Sequence, residues 1–203
     1  LNNDNLYTAS MSTKFDLKTA SFNTVDDSNF PSLQNIYGIA VTPEGDKLFV
    51  SSFNNDHITE YSFNTSFDVS DMSRVGNFNI TNDSDGYIGF NFVGDLSTFV
   101  TYSLNDSEHK IYTLSTAKTL TDGFTEVDTM NISYEGNVVF MKDGDQFGVS
   151  EFYNGDVTSS AVSIYTTDTS FRFDNVTKVG SFASEFSYQD TRTWEMAGQP
   201  HMI

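Results

Sequence analysis

One strand-and-turn pattern recurs four times in this chain, and that recurrence constrains the fold more than any single residue does. Ile58-Thr59-Glu60-Tyr61-Ser62-Phe63-Asn64-Thr65-Ser66-Phe67-Asp68-Val69-Ser70 alternates along a strand and then enters a polar turn. Lys14 to Ser21 precedes it in the same style, and Ile111 to Lys118 and Ile164 to Phe171 follow. The aromatic anchors Phe15, Tyr61, Tyr112 and Tyr165 are separated by 46, 51 and 53 residues.

A period in this range is that of a four-stranded unit repeated around an axis, one blade of a β-propeller. The residues after Tyr165 and those leading to Phe15 together make one more repeat, so the chain reads as a circle of four units cut once. The fold class expected is all-β: a β-propeller of about four four-stranded antiparallel blades. Pairing of the N- and C-terminal strands is expected to close the last blade and protect the sheet edges there. A single domain is expected over residues 1–203, with repeat units at about 1–35, 36–85, 86–135 and 136–190, and 191–203 completing the first.

The second unit is the most complete. Ile36 to Val41 is an apolar run of strand length, Pro43-Glu44-Gly45-Asp46 is a tight turn, and Leu48 to Phe53 returns as its partner. Asn54-Asn55-Asp56 leads into the anchor strand, and Arg74 to Ile80 alternates as an outer strand. The third and fourth units follow the same order through the turns Val93-Gly94-Asp95 and Lys142-Asp143-Gly144-Asp145. Near the N-terminus, Leu6 to Ser10 aligns with Leu48 to Ser52, while Thr193 to Ala197 is expected to be the innermost strand that completes the first unit. No segment keeps apolar residues at helical spacing for more than about two turns.

Composition narrows the roles. Aromatic residues make up 15% of a chain that is only 37% hydrophobic, which suits half-buried pleated surfaces. With 28 acidic and 10 basic residues the formal charge is −18, so phosphate backbones and anionic membranes are repelled and neither is expected as a partner. There is no cysteine for disulfides or thiolate metal sites, and no 18-residue apolar run for a membrane-spanning helix.

The Gly-containing apolar strand, the turn Pro43 to Lys47, Leu48-Phe49-Val50-Ser51 and the Tyr61 to Ser70 segment together resemble the extracellular propeller repeats called YVTN-like or NHL-like. The ending Phe67-Asp68-Val69-Ser70 also resembles repeats in structural proteins of marine bacteria and their phages, whereas Thr119-Leu120-Thr121 and Phe173-Asp174-Asn175 depart from it. The resemblance covers nearly the whole chain. It implies a surface or virion-associated binding or scaffolding module, located extracellularly, at a cell surface or on a virion.

Candidate chemistry is sparse. His57 and His109 both stand just before an anchor strand, His57 beside Asn55 and Asp56, and His109 near Asp106. If those loops gather near the axis, the residues form a binding surface or share a metal; the alternative is ordinary Asx-rich turn chemistry. Asp156 occupies the corresponding loop of the fourth unit, and Trp194 is set either to stack on a sugar or to pack in the core. Catalytic and metal-ligating residues are not assigned. No cofactor is expected, although Asp83-Ser84-Asp85-Gly86 and Asp143-Gly144-Asp145 leave a weak opening for calcium. No Gly-x-Ser-x-Gly stretch is present.

Two classes of function remain. The favoured one is a non-catalytic module of an extracellular or virion-surface assembly, not an enzyme. Its partners would be protein subunits of the same assembly or a surface glycan, as a homo-oligomer or part of a larger assembly. The alternative is a small propeller enzyme, a metal-assisted hydrolase of a lactone or glycan.

Overall fold

The computed structural model describes residues 7–13, 17–24, 36–52, 57–80, 87–103, 108–131, 138–151 and 161–183. Three four-stranded antiparallel sheets follow one another along the chain. Blade 2 is made of β3 (Ile36–Val41), β4 (Lys47–Ser52), β5 (His57–Phe63) and β6 (Met72–Asn79), in that spatial order. Blade 3 is made of β7 (Tyr87–Val93), β8 (Thr98–Ser103), β9 (Glu108–Thr116) and β10 (Thr119–Asn131), and blade 4 of β11 (Val138–Phe140), β12 (Gln146–Glu151), β13 (Ala161–Thr166) and β14 (Thr177–Ala183). Before them, β1 (Tyr7–Met11) and β2 (Ala20–Thr24) pair as a two-stranded sheet. First strands meet first strands: β3 contacts β7, and β7 contacts β11. They are therefore the innermost strands, and the sheets radiate from them as the blades of a propeller.

Alternation along each strand supplies two buried faces. In blade 2, Phe49 and Ile58 pack against Phe99, Tyr112, Leu114 and Leu120 of blade 3. Leu48, Val50, Tyr61 and Met72 form a separate cluster on the other face. One seam further on, Val93, Val100 and Ile111 meet Phe147, Val149, Tyr165 and Phe173. Stacked aromatic pairs recur at matching places, Phe99 on Tyr112 at 4.9 Å and Phe147 on Tyr165 at 5.3 Å. Each such fully buried side chain contributes roughly 1.5–3 kcal/mol, which explains how an aromatic-rich chain of modest hydrophobicity builds its seams. The same burial pushes the Tyr61 phenol up to about 12, with nearby Arg74 pulling slightly the other way.

The first repeat runs in a different register from the one its aromatic anchor suggests. Met11 pairs with Ala20 as Phe63 pairs with Met72, an offset of 52 residues. Ala9 of β1, and not Phe15, therefore stands at the place of Tyr61, and the short 3-10 turn Leu17–Thr19 matches Val69–Asp71. β1 and β2 are thus the third and fourth strands of a blade, and Leu6 to Ser10 does not correspond to Leu48 to Ser52. With this correction the period becomes 52, 51 and 53 residues. Thr193 to Ala197, the expected innermost strand of that blade, and the terminal pairing that would close it lie outside the described residues.

At one end of the sheets the turns interlock. Gly45, at φ +68°, offers its carbonyl to the amide of Phe67 at 2.8 Å, and Gly144, at φ +73°, does the same for Phe171 at 2.8 Å. A glycine adopts positive φ without the clash a Cβ would bring. Aspartates hold the longer connections: Asp68 accepts from the amide of Ser70 at 2.9 Å, and Asp174 from that of Thr169 at 3.0 Å and the hydroxyl of Thr167 at 2.7 Å. Blade 3 departs from the Phe-Asp ending because it needs no such connection; Thr116 pairs directly with Thr119 across the two-residue turn Ala117-Lys118.

Candidate functional site

A repeat protein supplies its own internal control, since residues at matching positions share a structural task. Departures from the repeat stand out against that background. In blade 2 the cross-strand pair at one such position is Ser51 with Ile58, and in blade 4 it is Ser150 with Val162. Blade 3 has Tyr102 with His109 there. The two rings lie 4.6 Å apart at 34°, Tyr102 is 2% exposed, and His109 is fully buried. Alternation places His109 on the same face as Ile111, and Ile111 belongs to the core between blades 3 and 4. A polar aromatic pair thus occupies a seam position that is serine and aliphatic elsewhere.

A small recess adjoins Tyr102. It is lined by Gly89 and Asn91 of β7, Val100 and Tyr102 of β8, and Val138 of β11, and it has room for about one water-sized group. Asn91, a half-buried residue of the lining, has a side chain that both donates and accepts hydrogen bonds. Lys110, next to His109 in sequence, points to the other face of the blade and lies 3.5 Å from Glu108 and 3.9 Å from Glu126. The lining carries no formal charge.

A second departure lies in the seam between blades 2 and 3. Glu60 occupies the place of Ile111 and Ile164, with no exposed surface. Its carboxylate accepts from Lys47 Nζ at 2.7 Å, from the Thr119 hydroxyl at 3.3 Å and from the main-chain N–H of Leu120 at 2.9 Å. Three donors meet one buried carboxylate, as burial of a charge requires.

Of the residues expected to form a binding surface, His57 and His109 are placed apart. His57 pairs with Ser52, and the matching position in blade 3 is Glu108, paired with Ser103. His109 matches Ile58 instead. A one-residue difference in register puts the two imidazoles on opposite faces of their blades, and both stand on third strands, two strands out from the axis. Asn55, Asp56, Asp106, Asp156 and Trp194 lie outside the described residues. Among the described residues, no group of three or more His, Asp or Glu side chains is gathered so as to hold a metal ion. The sequence reading missed Tyr102, Asn91 and Glu60, although alignment of the repeats would have exposed Tyr102 and Glu60 as out of pattern.

Comparison with solved structures follows from this geometry. The fold is shared with known β-propellers. The chain superimposes on a protein from Bacteroides uniformis named as a candidate 6-phosphogluconolactonase with TM-score 0.53 and 12% identity, over 91% of this chain and 56% of that one. A periplasmic gluconolactonase from Pseudomonas aeruginosa gives TM-score 0.50 and 13% identity over 75% and 42%. The β-propeller domain of Cps50 (Swd1) from Myceliophteria thermophila gives 0.50 and 11% over 82% and 49%. This chain therefore spans about half the length of the solved structures it matches. No protein-family model and no curated protein sequence matches it.

These likenesses correct the expectation that the chain is not an enzyme. That expectation rested on scarce histidine and on the structural character of the repeats. Two of the propellers on which the chain superimposes carry lactonase names, so the repeat grammar is no ground for excluding catalysis.

Proposed function

We propose that this chain is the propeller part of a hydrolase that opens cyclic sugar esters, and that the seam between blades 3 and 4 is where water meets the ester. The lactone class comes to this chain by analogy of fold with the two lactonase-named proteins. The observation that carries the reading is Tyr102 in the lining of a water-sized recess, paired with His109 at a position held by serine and an aliphatic residue in both neighbouring blades.

The chemistry asks little of the protein. The oxygen of water bonds to the ester carbonyl carbon, the bond from that carbon to the ring oxygen breaks, and a proton moves from water to the departing oxygen, giving a hydroxy acid. A recess that admits one water orients the nucleophile. Asn91 and the Tyr102 hydroxyl can hydrogen-bond to the water or to the carbonyl oxygen, and the Tyr102 hydroxyl, with the His109 ring packed against its own at 34°, can pass the proton on.

The test is acid release from glucono-1,5-lactone followed in a pH-stat, with spontaneous opening subtracted. The chain is expected to accelerate opening, and Tyr102→Phe to lower kcat by about a hundredfold. Wild-type rates in both Tyr102→Phe and His109→Leu would remove this seam from the reaction.

A further inference from the structure

We infer that the outermost strands of blades 2, 3 and 4 each carry a built-in interruption that keeps another chain from pairing with them. β6, β10 and β14 end their sheets, and among the described residues no further strand is hydrogen-bonded to their outer edges. Such an edge presents a row of unpaired N–H and C=O groups, on which a second strand can add.

The interruption falls at the same place in all three blades. In blade 2, Tyr61 pairs with Arg74 and Glu60 with Gly76, so Val75 is left out of the register. In blade 3, Tyr112 pairs with Glu126 and Ile111 with Asp128, leaving out Val127. In blade 4, Tyr165 pairs with Lys178 and Ile164 with Gly180, leaving out Val179. Three separate stretches of sequence thus place a bulge beside the tyrosine anchor, each with a valine as the extra residue and a charged residue before it. The three valines are 44%, 39% and 56% exposed, so the extra residue is not there to fill a seam.

On a regular strand the outward-pointing groups recur every second residue. One added residue puts the two sides of the bulge out of step, and an incoming strand can follow only one side. The runs left in step are residues 72–74 and 76–79 of β6, 124–126 and 128–131 of β10, and 177–178 and 180–183 of β14, none longer than four residues. β2 supplies the contrast. It pairs with β1 without a shift, and its five residues make it shorter than β6, β10 or β14, with 8, 13 and 7. A short edge is a poor template on its own, and the bulge appears where the edge is long.

Removing the extra residue is a clean test, because the residues on either side of it already face consecutive partners across the ladder. Val75, Val127 and Val179 are deleted one at a time in the full chain. A further variant carries Val75→Thr, Val127→Thr and Val179→Thr together, which keeps the bulges and removes the exposed apolar groups. Sedimentation velocity over a wide range of concentration and thermal melting are read on each. The deletion variants are expected to melt cooperatively and to show a mean mass about twofold or more above the original chain at the highest concentration, although each has lost an exposed apolar side chain. The threonine variant is expected to sediment like the original. Deletion variants that melt cooperatively and sediment like the original overturn the inference. A threonine variant that sediments as a smaller species also overturns it, since the valines would then be a contact surface. If none of the deletions melts cooperatively, the extra residue serves the twist of its own blade, and the inference falls.

Discussion

Glu60 Oε2 accepts the main-chain N–H of Leu120 across the seam between blades 2 and 3 at 2.9 Å. The next seam repeats the device with a different residue: Asp128 Oδ2 accepts the N–H of Phe173 at 2.7 Å. Leu120 and Phe173 are both buried apolar residues, so in each seam a carboxylate of one blade holds the main chain of the next, within outer strand β10 in one case and in the connection before β14 in the other. Glu60→Ala leaves Leu120 N–H buried without its acceptor and Lys47 without its partner. It should cost about 3–5 kcal/mol, whereas Glu60→Gln, which still offers an acceptor oxygen, should cost less than about 2 kcal/mol. Urea denaturation curves with unchanged slope check both values.

The turn at Gly45 gives a second prediction. A Cβ there would lie 2.4 Å from the Phe67 ring, and the backbone is at φ +68°. Gly45→Ala should destabilise by about 1–2 kcal/mol from the left-handed backbone alone, with further loss if the ring is displaced. The Phe67 ring is 61% exposed and can swing aside, so Phe67→Ala combined with Gly45→Ala should fall short of the sum of the two single losses. Thermal denaturation of the four proteins measures the cycle.

Acid should act through a defined set of carboxylates. Asp68, Asp95 and Asp174 are held below the usual range by hydroxyls and amides of Ser70, Ser97 and Thr169 with Thr167, and Glu44 by its hydrogen bond to Lys118. A carboxylate whose folded value is depressed adds stability above its unfolded value, and that stability is lost as pH falls through the folded value. Stability from these groups should therefore hold down to about pH 4 to 5 and decline below it. Asp174→Asn should make that decline shallower, as read from urea midpoints between pH 3 and pH 6. A decline of unchanged steepness in the variant would assign it to other carboxylates.

Alkali reports on the opposite case. Tyr61 is buried and pushed up to about 12, above the roughly 10 of a free phenol. The stability it adds is complete below about pH 10 and is lost as pH rises through the folded value. Ultraviolet titration of the phenols should show a late fraction that ionises only as the chain unfolds, and Tyr61→Phe should reduce it by one phenol.

The period was legible because one anchor per blade must be aromatic to fill a seam, and Tyr61, Tyr112 and Tyr165 obey that need. It misled in the first repeat, where the register of β1 with β2 puts Ala9, and not the aromatic Phe15, at the place of Tyr61. The two histidines illustrate the same limit. His57 stands four residues before its anchor and His109 three, a difference of one that reverses the face of a strand. Tyr102 was hidden because an aromatic residue in a strand reads as core until it is compared with Ser51 and Ser150. Glu60 was hidden because alternation suggests an outward polar residue, and only the packing of blade 3 against blade 2 shows that both faces are buried. The recess depends on which small side chains of three strands meet, which no single repeat reveals.

The central claim is that blade 3 departs from the repeat for the sake of chemistry, and one comparison tests it most directly. Tyr102→Phe and His109→Leu together make the seam apolar at nearly constant volume, in keeping with the aliphatic seam residues of the neighbouring blades. Melting temperature and lactone opening are then measured on the same preparation. The account predicts a melting temperature equal to or above that of the original chain, with hydrolysis reduced to the spontaneous rate. Hydrolysis at the original rate in a variant that melts normally would contradict it.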